Sequence, residues 1–79
     1  MDEMKNLLYL IVSSLVTNVD AIKIEEKEKD GSMLLELTVA AEDVGKVIGK
    51  QGKIAKAIRT VVRAAAIKKD VRVIVDILN

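Results

Sequence analysis

The chain predicts an α+β fold of two layers, with three helices on one face of a three-stranded mixed sheet in the order α-β-β-α-α-β. Three observations predict it. Apolar residues recur at three- and four-residue intervals over residues 2–17 and 53–67, the period of an amphipathic helix. They alternate with period two around Ile24, from Met33 to Val39 and from Val71 to Ile77, the period of a strand. Two glycines three apart, Gly49 and Gly52, then interrupt a helical pattern and leave Lys50 and Gln51 at the break.

In the first helix, Met4, Leu7, Leu8, Ile11, Val12, Leu15 and Val16 gather on one face. Its opposite face, Asn6, Leu10, Ser13 and Thr17, is nearly uncharged. That is either an ordinary surface with one exposed leucine or a packing surface for another subunit or partner. From Asp20 the period changes to two, Ile22 and Ile24 against Lys23 and Glu25, followed by a solvated tail from Glu26 to Lys29, which together read as the first strand. Asp30-Gly31 suits a type I′ hairpin turn, whose two central residues both need positive φ. Met33, Leu35, Leu37 and Val39 then alternate with Ser32, Leu34, Glu36 and Thr38, so the first two strands should pair antiparallel. Residues 40–47 read as a short helix with Glu42 and Asp43 in its first turn, where negative charge suits the helix dipole. In the third helix, about 100° per residue puts Ile54, Ala57, Ile58, Val61 and Ala65 on one side and Lys53, Lys56, Arg59 and Arg63 on another. Ala64, Ala65 and Ala66 allow close approach to the sheet. The last strand has Val71, Val73, Val75 and Ile77 alternating with Arg72, Ile74 and Asp76. If it neighbours the second strand, the crossover through two helices makes the pair parallel and right-handed.

With 79 residues the chain is read as one domain, residues 1–79, near the lower limit for a core without staples. It has no Cys, His or Trp. Disulfides and Cys-based metal sites are excluded, and the commonest nucleophiles, general bases and zinc ligands are missing. No enzymatic activity, metal or cofactor is expected, and a cytoplasmic location is the default. Glu25, Glu26 and Glu28, interleaved with Lys27 and Lys29, read as a solvated rim. The apolar run Leu7 to Val12 follows Asp2 and Glu3, the wrong charge for a signal peptide, and Ser13, Ser14, Thr17, Asn18 and Asp20 break it well short of the about 20 residues a membrane span needs. The net charge of +1 conceals polarity: residues 1–45 hold four Lys against ten Asp or Glu, a balance of −6, whereas residues 46–79 hold nine Lys or Arg against two Asp, a balance of +7. The cationic half carries the glycine turn, which points to a polyanionic partner.

The run Val47-Ile48-Gly49-Lys50-Gln51-Gly52-Lys53-Ile54 has the layout of a phosphate-gripping turn. Glycine lets the backbone take left-handed angles and lets a sugar-phosphate chain come to contact distance, and the following helix points free N–H groups and its positive dipole end at an anion. A P-loop is ruled out, because Lys50 stands where its second glycine would be and Lys53 precedes Ile54 rather than Ser or Thr. No G-x-G-x-x-G occurs. An apolar residue before Gly-x-x-Gly and another shortly after resembles the signature of the KH (K-homology) RNA-binding domain. GKVIGKQGKIAKAIRTVVRAAA, from Gly45 to Ala66, resembles the core of the small stand-alone bacterial KH proteins of the KhpA type, and the similarity extends over essentially the whole chain.

The resemblance implies the type II KH arrangement, an extra helix and strand preceding a β-α-α-β core. It also implies single-stranded RNA as partner, with a backbone of four nucleotides clamped by the loop. Carried onto this sequence, phosphates approach Gly49 and Gly52, Lys50 supplies charge and Gln51 an amide donor, and Ile48 and Ile54 line or support an apolar groove. Lys46, Lys53 and Lys56 flank the turn; whether Arg59 and Arg63 reach RNA is left open. The family's role as RNA chaperone or post-transcriptional regulator, acting as a homodimer or with a second KH protein, is implied likewise. Family members often carry proline near the positions of Val19 and Ala41, which this chain lacks. Two other readings compete. One is a protein-interaction module whose KH shape serves dimerisation, motivated by the neutral face around Leu10, Ser13 and Thr17 and by Leu34 and Ile74, which are expected to be exposed. The other is duplex DNA binding by a helix-turn-helix with the third helix in the major groove. Tyr9 is the only aromatic residue and lies in the first helix, so base stacking cannot supply the grip.

Overall fold

The computed structural model describes residues 3–78. Its elements are α1 (Glu3–Ser13), β1 (Lys23–Lys29), β2 (Ser32–Thr38), α2 (Val44–Ile48), α3 (Lys53–Lys68) and β3 (Val73–Ile77), with short 3-10 turns at Val19–Ala21, Ala41–Asp43 and Lys50–Gly52. The order is the expected α-β-β-α-α-β, and β2 is the central strand of the sheet, antiparallel to β1 and parallel to β3. Residue 2, where the first helix was expected to begin, lies outside the described residues.

Asp30 and Gly31 both have positive φ, 52° and 80°, as the hairpin turn requires. β1 begins at Lys23 rather than near Asp20, since Val19–Ala21 forms a 3-10 turn, and its solvated tail from Glu26 to Lys29 stays within the strand as expected. It pairs with β2 residue by residue from Lys23↔Thr38 to Lys29↔Ser32, and Lys27 reaches across to Glu36 at 2.7 Å. Only Ile24 of this strand is buried, so apolar periodicity falls silent where backbone pairing continues.

α1 ends at Ser13 rather than at Thr17. The hydroxyls of Ser13 and Ser14 donate to the Leu10 carbonyl at 3.0 and 2.9 Å, and such local bonds compete with the helix ladder. The expected helix over 40–47 is split, a 3-10 turn at Ala41–Asp43 leading into α2. Val19 and Ala41 each open a 3-10 turn, where proline would fit without loss of a bond.

The face of α3 also needs correction. Ala55, Ile58, Val62 and Ala66 are buried, whereas Ala57 is exposed and Val61 is 48% exposed. A helix with aliphatic residues over much of its circumference admits more than one apolar face, and its seat on β3 and α1 selects one. Of the three alanines, Ala66 packs in the core and Ala64 faces out.

β3 begins at Val73 rather than Val71, because Val71 serves the end of α3. Asp70 adopts φ 57°, its N–H bonds the Ile67 carbonyl, and the Val71 N–H bonds Ala66, each at 3.0 Å, the Schellman arrangement. Aspartate tolerates the left-handed region but glycine prefers it, so Asp70→Gly is expected to raise stability by about 0.5–1 kcal/mol in urea denaturation. A loss of stability would show that the Asp70 side chain matters more than its dihedral.

Ile24, Leu35, Leu37, Val73 and Val75 point to the helices and join Met4, Leu8, Val12, Val47, Ile58 and Val62 in one core cluster. On the opposite sheet face Ile74 is 48% exposed, whereas Leu34 is half-buried rather than exposed. β2 runs from the hairpin towards α2, and α3, about 24 Å long at 1.5 Å per residue, returns to the hairpin end. There the Met33 N–H bonds the Arg72 carbonyl at 2.8 Å as β3 begins. The glycine turn therefore lies at the other end of the domain from Asp30-Gly31.

Candidate nucleic-acid interface

Gly49 ends α2 with φ 75° and ψ 176°, its N–H bonded to Gly45 O at 2.9 Å. The chain then makes one tight turn: Gly52 N–H bonds Gly49 O at 3.2 Å, and Lys53 N–H bonds Lys50 O as α3 starts. Gln51 (φ 58°, ψ 24°) and Gly52 (φ 75°, ψ 15°) are consecutive left-handed residues. The N–H groups of Lys50 and Gln51 have no partner among the described residues, and both side chains are exposed. Adjacent free N–H groups in such a turn form an anion-binding concavity.

The two glycines are needed for different reasons. A Cβ on Gly49 would stand 2.6 Å from Ile54 Cγ1 and 2.9 Å from Ile54 Cβ and Cδ1, whereas one on Gly52 would meet nothing within 4 Å. Gly49 thus serves close packing as well as dihedral freedom; Gly52 serves dihedral freedom alone. Ile48 and Ile54 are half-buried against the core, so they support the turn while keeping part of their surface open.

Lys53 and Lys56 are exposed and, like Lys50 and Arg63, form no ion pair among the described residues. α3 contains five Lys or Arg and no Asp or Glu. Lys56, Arg59 and Arg63 follow at spacings of three and four and share a flank. That flank faces the outer edge of β3, since Arg59 Nε donates to Val75 O at 3.2 Å. Arg72 and Leu78 bond towards β2, so the alternation turns the peptide groups of Val73, Val75 and Ile77 outwards. Arg59 is therefore tied to the sheet edge, while Arg63 is not.

Lys46 differs from the other lysines. Its ammonium lies 3.1 Å from Asp43 Oδ1 and also donates to Thr17 Oγ1. Asp43 is fully buried, and its two oxygens accept the Thr17 and Asn18 N–H groups, each at 3.0 Å. These two backbone bonds, more than Lys46, hold its carboxyl below the usual aspartate range. Sequence reasoning placed Asp43 only as a first-turn charge on the dipole; the signal available was its three-residue spacing to Lys46.

A cleft of about 760 Å³ lies between the hairpin and the α3–β3 turn, lined by Glu26, Glu28, Asp30, Asp70 and Arg72 among others, remote from the glycine turn. Among the described residues no group of three His, Cys, Asp or Glu could hold a metal ion, and no helix is long and apolar enough to cross a membrane.

Residues 5–77 match the family model described as KhpA/KhpB, KH domain. The chain is 56% identical over 75 residues to the RNA-binding protein KhpA of Clostridium acetobutylicum, covering 95% of this chain and 100% of that protein. It is 53% identical to RNA-binding protein KhpA of Caldanaerobacter subterraneus with the same coverage, and 44% identical to that of Listeria monocytogenes, covering 96% and 100%. Among solved structures, a point variant of Aquifex aeolicus Era bound to GDP.AlF4- superposes with a TM-score of 0.63 at 17% identity over 94% of this chain and 29% of that one, a likeness of fold. The family-model match over residues 5–77, with relatives 44–56% identical over nearly the whole chain, places the chain, with its glycine turn between two helices, in the KhpA/KhpB KH-domain family.

Proposed function

We propose that this protein binds single-stranded RNA across the Gly49–Gly52 turn and acts without catalysis, in the cytoplasm, as an RNA chaperone or post-transcriptional regulator. One observation carries the reading: the unbonded Lys50 and Gln51 N–H groups stand beside exposed Lys50, Lys53 and Lys56, which form no ion pair among the described residues. The relatives named as RNA-binding proteins support it. Phosphates sit at the turn, and bases lie along the partly open Ile48 and Ile54 and the α3 flank towards the β3 edge. Tyr9 is on α1, and stacking at about 1–3 kcal/mol per base is not available at the turn. One domain should bind weakly, with modest sequence preference, and a homodimer or a second KH protein would raise the effective affinity.

Titration with single-stranded oligoribonucleotides across a salt series tests this. About three phosphate contacts give a slope of roughly −2 for log affinity against log salt concentration. The amide NMR signals of residues 49–52 should shift on titration. An affinity indifferent to salt, or unmoved turn amides, would sink the reading.

Leu10, 65% exposed on the uncharged face of α1, favours a second reading as a protein-interaction module. Duplex DNA binding through α3 is disfavoured, because Arg59 on its cationic flank is tied to β3. Competition among single-stranded RNA, single-stranded DNA and duplex separates these readings.

A further inference from the structure

We infer that Asp43 and Lys46 are positioning residues of the glycine turn: together they clamp α2 to the α1–β1 connection, and the Lys46 ammonium is committed to this clamp rather than to phosphate. The inference rests on the proposed reading of the turn as the RNA site.

α2 has five residues, too few for a helix to hold its own shape in water. Its one fully buried side chain is Val47, with Val44 and Ile48 half-buried, and no side chain caps its start. One apolar anchor leaves rotation about that anchor unopposed. Asp43 supplies the second fixed point, its carboxylate binding the N–H groups of Thr17 and Asn18, 26 and 25 residues away in sequence. Lys46 closes the clamp from the helix side, joined to both Asp43 and the Thr17 hydroxyl. Lys46 is one turn before Gly49, and the Gly45 carbonyl beside it accepts the Gly49 N–H. A shift of the clamp is therefore passed to Gly49 and to the free N–H groups of Lys50 and Gln51. The buried carboxylate also cancels most of the field that Lys46 would offer a phosphate, unlike Lys50, Lys53 and Lys56.

The test compares variants against a fluorescein-labelled, randomised-sequence single-stranded RNA over a salt series. Lys50→Met should lower the magnitude of the salt slope by about 0.7, the loss of one phosphate contact on a single strand. Lys46→Met should leave the slope unchanged, weaken binding by about threefold to tenfold, and shift the free protein's amide signals of residues 49–52. Asp43→Asn presents one acceptor oxygen where two N–H groups need two, and should shift the same amide signals at a temperature where circular dichroism shows it folded, while its salt slope does not fall, because the variant also releases Lys46 from its neutralising carboxylate. Should Asp43→Asn not fold, Thr17→Val, which removes only the hydroxyl partner of Lys46, takes its place. A slope that falls with Lys46→Met as it does with Lys50→Met overturns the inference. So does a variant that loses thermal stability while the turn amides and affinity stay put, the mark of a merely structural role. If the wild type binds no RNA, the reading of the site falls, and the amide comparison still decides whether the clamp positions the turn.

Discussion

Gly49→Ala should destabilise the protein by about 3 kcal/mol, lowering Tm by roughly 15 °C or more in a domain of this size. Two costs combine. At φ 75° and ψ 176° the residue occupies backbone space open essentially to glycine, which costs an L-residue about 1–3 kcal/mol. The new Cβ would also press on Ile54 at 2.6–2.9 Å, and overpacking costs a further 1–3 kcal/mol or so. Gly52→Ala is the control, since it meets an αL penalty of about 1–2 kcal/mol with no neighbour within 4 Å. Ile54→Ala in the Gly49→Ala background should recover part of the loss, so that the double variant costs less than the sum of the singles. The packing argument fails if Gly49→Ala and Gly52→Ala prove equally destabilising.

The second large effect is on binding. Replacing Lys50 and Gln51 together by Asp should weaken RNA binding about 100-fold while Tm changes little, since exposed substitutions usually stay within about 0.5 kcal/mol. Lys50→Asp removes an attraction and adds a repulsion at the tip, and Gln51→Asp adds another. At about 4 Å in water each such charge interaction is worth about 1 kcal/mol, and three make roughly two decades of affinity. Asp at position 51 tolerates the observed φ of 58°, which makes the variant a probe of charge more than of backbone. Fluorescence anisotropy against single-stranded RNA, with thermal melts alongside, gives the answer. Loss of RNA binding with folding and any partner association intact supports the RNA reading, and unchanged affinity refutes it at this site.

Much of the frame was legible from local patterns. The alternation of Met33 to Val39, the Asp30-Gly31 dipeptide and the interrupted helix at Gly49–Gly52 each map to the element expected of them. Misreadings arose where local signals conflict or stop. Ser13 and Ser14 sit in an apolar pattern that continues to Val16, yet their hydroxyls close the helix early. Val61 and Val62 are adjacent and equally apolar, so nothing in α3 alone says which one is buried. The alternation read from Asp20 starts ahead of β1, because Val19–Ala21 closes a 3-10 turn before Lys23 enters the ladder. Lys46 and Lys50 are both lysines beside the turn, but of the two only Lys46 has a buried carboxylate within reach among the described residues.

By itself the sequence determined the kinds and order of the elements and the place of the glycine turn. Those depend on side-chain period and on which residues can adopt positive φ, properties of a few neighbouring positions. The tertiary structure alone decided which face of α3 enters the core, which cations remain without a partner among the described residues, and that Asp43 joins α2 to the α1–β1 connection. These outcomes rest on groups 16 to 26 residues apart, such as Arg59 with Val75 and Asp43 with Thr17. A hydrogen bond or ion pair over that separation forms only once the sheet and helices have brought its ends together.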